Sequence, residues 1–240
     1  MSETPVITAS LLAEYCHAAA PRRNRIIELM QSDEFEPFKK WYGEVPGAYR
    51  NYMASGREDF ALAALEAALV KRDATSDSEE DKILLQLDAI EHVRHIDYSK
   101  IPVGVEVLAY QHPARTTEIS GVKVRVNPTN VILGNKLGHK AKFVGVLKPY
   151  LKKTRELPSE EALIFAAILH WFTARELGDI GEAAFDHCFV AEVFFERLIA
   201  APRAFVRRRE LIEASCLEIA ERWPAVRAKL TRAHGGAAAV

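Results

Sequence analysis

Between Gly121 and Arg155 stand Lys123, Arg125, Lys136, Lys140, Lys142, Lys148, Lys152, Lys153 and Arg155, with no Asp or Glu among them. Cations gathered on adjacent strands and their hairpin create a field suited to polyphosphate, because displaced counterions supply much of the affinity for a nucleic-acid backbone. Lys123 and Arg125 alternate with Val122, Val124 and Val126, so the cations share one strand face and the valines the other. Two readings stand: a nucleic-acid surface built on Lys123, Arg125, Lys140, Lys142 and Lys148, or a solvated face offset by neighbouring acidic helices.

A second cationic cluster, Arg203, Arg207, Arg208 and Arg209, opens an apolar-striped segment carrying Phe205, Ile212, Ile219 and Trp223. Arginine clamps phosphate bidentately, yet four arginines at a helix start oppose its dipole. Either phosphate or an acidic protein rewards Arg207 and Arg208, or the acidic segment 156–182 of the same chain does. Asp88, His92 and His95 fall at i, i+4 and i+7 on one helix face, a set able to hold zinc or manganese; the apolar neighbours of His92 also suit a buried, hydrogen-bonded histidine. His187 and Cys188 point to opposite strand faces and make no dyad. The chain has no GxSxG elbow, HExxH, complete Walker A loop or GxGxxG.

The 240 residues, 49% hydrophobic and 27% charged, can bury a substantial core. A net charge of −1, from 32 cations and 33 anions, hides strong segregation along the chain. The longest nearly apolar stretch, Ala162 to Phe172, is too short to span a bilayer, and MSETPVITAS lacks the pattern of a signal peptide. Three cysteines without a CxxC pair argue against a disulfide framework and for a reducing cytoplasm.

The first hundred residues read as helical. Thr8 or Ser10 caps a helix through Ala20, Pro21 opens a second, and further helices run over about 57–72 and 78–94. The segment EVPGAYRNYMASG breaks the periodicity. Near Ile101 the pattern turns to strands: 103–110, 119–126, 142–148 and 186–195, with NVIL extending the second past a bulge and GNKLGHK as a hairpin connection. The near-continuous apolar character of KFVGVLK suits a strand covered on both faces. Helices over 159–177 and 204–222, the latter ending before Pro224, complete the order.

Helix, three meandering strands, helix and strand resemble the core of the PD-(D/E)XK, or restriction-endonuclease-like, superfamily, especially its RecB-type branch. In that family the second strand brings an Asp after Pro and the third a Glu-x-Lys, which hold Mg²⁺ and orient the attacking water. The best register sets Pro128-Thr129 against Pro-Asp and Val146-Leu147-Lys148 against Glu-x-Lys, and Lys148 alone is retained. Thr129 and Val146 offer no carboxylate, so a standard two-acid site is absent in this register. Migrated acids are the alternative: Glu106, Glu91, Glu160 and Glu161 are candidates, each also readable as an ordinary surface carboxylate.

The expected fold is α+β: a helical N-terminal part over 1–78, packed on a mixed sheet of about four strands within a nuclease-like core over 79–232, then a disordered tail over 233–240. The resemblance implies a catalytically inactive module that binds DNA or RNA, or a scaffold in a DNA-processing or defence assembly, with no cofactor. Two other readings are an active Mg²⁺-dependent nuclease using migrated acids, with Lys148 as its retained catalytic lysine, and an interaction domain for an acidic protein. No membrane role is expected. For the fold, the reading places Val146 toward the old metal pocket.

Overall fold

The computed structural model describes residues 4–32, 41–135 and 142–235, with the last four as backbone only. Strand β1 (Val6–Thr8) runs straight into helix α1 (Ala9–His17), followed by α2 (Ala20–Gln31). Thr8 ends the strand and caps the helix: its Oγ1 accepts from the Leu11 N–H at 3.3 Å. Helices α3 (Val45–Ala54), α4 (Phe60–Val70) and α5 (Asp77–His95) come next. Asp77, Glu79 and Glu80 in the first turn of α5, and His92, Arg94 and His95 in its last, complement the helix dipole.

Helix α3 occupies the segment in which periodicity fails. Its proline is Pro46, in the first turn, where a missing N–H costs no helical bond.

Five strands form the path β2-β5-β6-β8-β9 of the main sheet: β2 (Glu106–Ala109), β5 (Asn130–Asn135), β6 (Lys142–Tyr150), β8 (Phe189–Glu192) and β9 (Arg197–Ala200). The short β7 (Glu182–Ala183) pairs with β6 off that path. β2, β5 and β6 are an antiparallel meander, and helix α6 (Ser159–Glu176) then crosses over so that β8 lies parallel to β6. The architecture is therefore α+β with a mixed sheet.

The strand over 119–126 lies elsewhere. Ser120 and Gly121, at φ 47° and 78°, make a two-residue turn between β3 (Thr116–Ile119) and β4 (Val122–Arg125). That hairpin joins β1 in a separate three-stranded sheet, with β1 parallel to β4. NVIL is not its extension: it belongs to β5, the true neighbour of β6. The expected single strand over 186–195 is broken by a 3₁₀ turn at Val193–Phe195 and a left-handed Glu196, which reverse the chain into β9. Helix α7 (Val206–Gly235) carries Pro224 inside it rather than ending before it. It therefore reaches into the expected tail, whose last residues, 236–240, lie outside the described ones, as do Lys136 and Lys140 of the expected hairpin.

β6 is covered on both faces. Val144 and Val146 pack with α1, α2, α6, α7 and the valines of β4, while Leu147 packs with α3, α4 and α5. No helix among the described residues is long and apolar enough to cross a membrane.

Candidate functional site: a cationic cleft

Parallel pairing of β1 with β4 sets Thr8 beside Arg125, bringing the start of α1 to the end of the hairpin. The ends of β6 and β4 close on the same place. Between them lies a cleft of about 350 Å³, lined by Thr8, Ala9 and Ser10 from the start of α1, Arg125 and Asn127 from β4 and its exit, and Lys148 and Tyr150 from β6; Tyr42 and Phe165 complete its aromatic wall. Among the described residues two cations line it, and no acid does.

Lys148 is half-buried, and its ammonium donates to the Asn127 carbonyl at 2.7 Å. Burial without a carboxylate pulls its pKa down from 10.5 to about 8. Arg125 is exposed and makes no side-chain hydrogen bond or ion pair among the described residues. The cleft thus presents one exposed guanidinium, one desolvated amine, the aliphatic hydroxyls of Thr8 and Ser10 and the positive end of a helix dipole, an arrangement that receives an anion.

The other described cations of the acid-free run do not form one surface. Lys123 shares the exposed face of β4 with Arg125, with Val122, Val124 and Val126 buried behind, as the alternation predicts. Lys142 is exposed at the opposite end of β6 from Lys148, about 20 Å away at strand spacing. Lys153 is engaged by Asp88 at 2.6 Å, and Arg155 is held bidentately by Glu161 at 2.6 and 3.0 Å and approaches Glu14 at 3.4 Å. In the arginine cluster, Arg208 pairs with Glu160 at 3.0 Å, the intrachain partner the sequence offers. Arg209 lies over the Trp171 ring and Arg207 is exposed.

The candidate nuclease residues are scattered. The ladder puts Asn130 opposite Leu147, so Thr129 and Lys148 fall side by side one step beyond. Thr129 gives both its N–H and its hydroxyl to the Leu147 carbonyl, at 3.0 and 3.1 Å. Val146 is fully buried in the apolar layer and is not part of the cleft lining, against the expectation that it faces a pocket. Two steps of register, Glu106 to Leu133 to Val144, place Glu106 four residues from the level of Lys148. Glu91 is exposed on α5. Glu161 is 1% exposed and locked to Arg155; burial raises its pKa against that pairing.

Asp88, His92 and His95 do share a face of α5, and His92 lies 3.5 Å from Asp88, yet Lys153 holds Asp88 at 2.6 Å, and His92 and His95 meet Glu196 at 2.8 and 3.4 Å. The hydrogen bond from His92 keeps the Glu196 carboxyl below its ordinary value. The described residues contain no group of three or more His, Cys, Asp or Glu placed to share a metal ion.

Sequence reasoning missed Thr8, Ser10, Tyr42, Asn127 and Phe165 as cleft residues. Thr8 and Ser10 are legible as helix caps, but only the pairing of β1 with β4 carries them to Arg125.

Fold and cleft together define an α+β, mixed-sheet protein with a small cationic pocket. The chain matches no protein-family model and no curated protein.

Proposed function

We propose that this protein is a catalytically inactive, nuclease-like module that binds nucleic acid, with Arg125 and Lys148 as the centre of its phosphate contact. The observation that carries the reading is the cleft: two cations and a helix start converge on it, and its lining holds no carboxylate among the described residues. The resemblance to the PD-(D/E)XK core adds support, because Pro128-Thr129 lead into β5, the strand beside the Val146-Leu147-Lys148 of β6, while the acids that would hold Mg²⁺ are Thr and Val. An active metal-dependent nuclease is disfavoured on the same ground: Glu106, Glu91 and Glu161 are set apart, and Glu161 already has its cation. The three cysteines are free and buried, which suits a reducing compartment such as the cytoplasm.

The test is a low-salt anisotropy titration with labelled single- and double-stranded oligonucleotides, followed by incubation of the same samples with Mg²⁺ or Mn²⁺. Sequence-independent binding with no cleavage above background is expected. Absence of binding, or cleavage that is lost in Lys148→Ala, overturns the reading.

A further inference from the structure

We propose that Lys148 is an imine-forming lysine, and that the cleft takes an aldehyde bearing a phosphate ester, with Arg125 and the start of α1 on the phosphate and Lys148 on the carbonyl carbon. The proposal rests on the reading of the cleft as an anion site and deepens it by naming the ligand chemistry. A lysine normally stays charged because water or a carboxylate rewards the charge. Here the ammonium meets the Asn127 carbonyl, the polar groups that line the cleft with it are Thr8, Ser10, Tyr42, Arg125 and Tyr150, and none of the described lining residues is a carboxylate. The Asn127 carbonyl takes one N–H and is satisfied equally by an amine. Burial brings the pKa to about 8, so near that pH about half of the population carries a free lone pair.

Lys148 is also the only amine among the described residues that line the cleft, whose 350 Å³ suits a ligand of one-nucleotide size.

The step balances without a further reagent. The neutral Lys148 amine donates its lone pair to the aldehyde carbon, and the carbonyl π pair moves to oxygen. The carbinolamine then loses water, which takes the oxygen and both amine protons, leaving C=N between ligand and lysine. Two sources supply this chemistry: an abasic site in nucleic acid, whose deoxyribose opens to an aldehyde flanked by phosphates, and a free sugar phosphate.

The experiment incubates the full chain at pH 8 with sodium borohydride and, in separate arms, an oligonucleotide with one abasic site, the intact oligonucleotide, glyceraldehyde 3-phosphate, or glyceraldehyde. Peptide mapping by mass spectrometry locates the reduced adduct. A phosphate-bearing aldehyde should label Lys148 at least tenfold faster than the exposed Lys71, Lys123 and Lys142, Lys148→Arg should abolish that adduct, and glyceraldehyde should show no such preference. Which phosphate-bearing arm labels assigns the source. On wild-type protein, added inorganic phosphate should slow labelling of Lys148 alone, so the proposal remains open to refutation if the variant fails to fold. Adducts spread evenly over exposed lysines, with the intact oligonucleotide still bound in a salt-dependent way, overturn the imine proposal and leave the binding reading in place. Failure of both adduct formation and oligonucleotide binding overturns the two together.

Discussion

The Lys148 ammonium donates to the backbone carbonyl of Asn127 at 2.7 Å, joining the end of β6 to the exit of β4. Asn127 holds left-handed backbone, φ 47°, a conformation asparagine tolerates better than most residues. The contact fixes the amine by a neutral acceptor, so the charge of Lys148 is desolvated without an opposite charge nearby.

Stability should therefore depend on pH through Lys148. Its folded pKa, about 8, lies below the ordinary 10.5, so between these values the unfolded chain binds more protons and stability rises with pH. Below about 8 the penalty is complete. Lys148→Met should raise Tm at pH 7, by about 2–4 °C per kcal/mol relieved, and the gain should shrink toward zero by pH 10.5. Thermal melts at pH 7, 8.5 and 10.5 check this; a pH-independent gain, or a drop in Tm at pH 7, contradicts it.

Val146→Glu restores the spelling Glu-x-Lys beside Lys148, but position 146 is 0% exposed among aliphatic side chains. An unpaired carboxylate there costs several kcal/mol or stays protonated. The variant, alone or with Thr129→Asp, should lose cooperative unfolding, and excess Mg²⁺ should not restore it. A Mg²⁺-dependent rise in Tm for the double variant would favour a latent metal site.

The elements that carry local signals were legible. KFVGVLK reads as doubly covered because apolar residues occupy both faces, and Val144 and Leu147 do enter opposite layers. The alternation of Lys123 and Arg125 with valine gave the right faces but the wrong sheet, because the partner of β4 is Val6–Thr8, far away in sequence. Helix α3 was hidden by Pro46 and Gly47, and the passage of α7 through Pro224 is set by packing around Trp223, which no local rule reports. The cations Arg125 and Lys148 were visible as residue types, whereas the cleft was not. It depends on three chain segments meeting, and on Lys153 and Arg155 being drawn away by Asp88, Glu14 and Glu161.

Among the described residues Arg155 is the sole cation within ion-pair distance of buried Glu161, and it also reaches Glu14, which Arg22 contacts at 2.7 Å. Breaking a buried pair by removing one partner costs about 3–5 kcal/mol. Arg155→Met should destabilise by that order at pH 7, and adding Glu161→Gln should recover a substantial part. Chemical denaturation of the two variants decides it: additive effects would show that the pair is not coupled.

Gly145 owes its identity to a close approach. A Cβ there would overlap the backbone carbonyl of His187, and one at Gly134 would overlap the imidazole of the same residue. Gly145→Ala must displace backbone, whereas Gly134→Ala can be met by rotating a side chain. Urea unfolding should show the first to be the more destabilising of the two, and the reverse order would contradict this packing.

The central claim, that the cationic cleft holds the phosphate, is tested most directly by the salt dependence of binding. Anisotropy of a labelled single-stranded oligonucleotide should give log K falling linearly with log salt concentration. In Arg125→Ala with Lys148→Ala the slope should drop by roughly 0.7 for each phosphate that is no longer neutralised, while the distant Lys142→Ala leaves it unchanged. An unchanged slope in the double variant, or a larger effect from Lys142, would contradict the account.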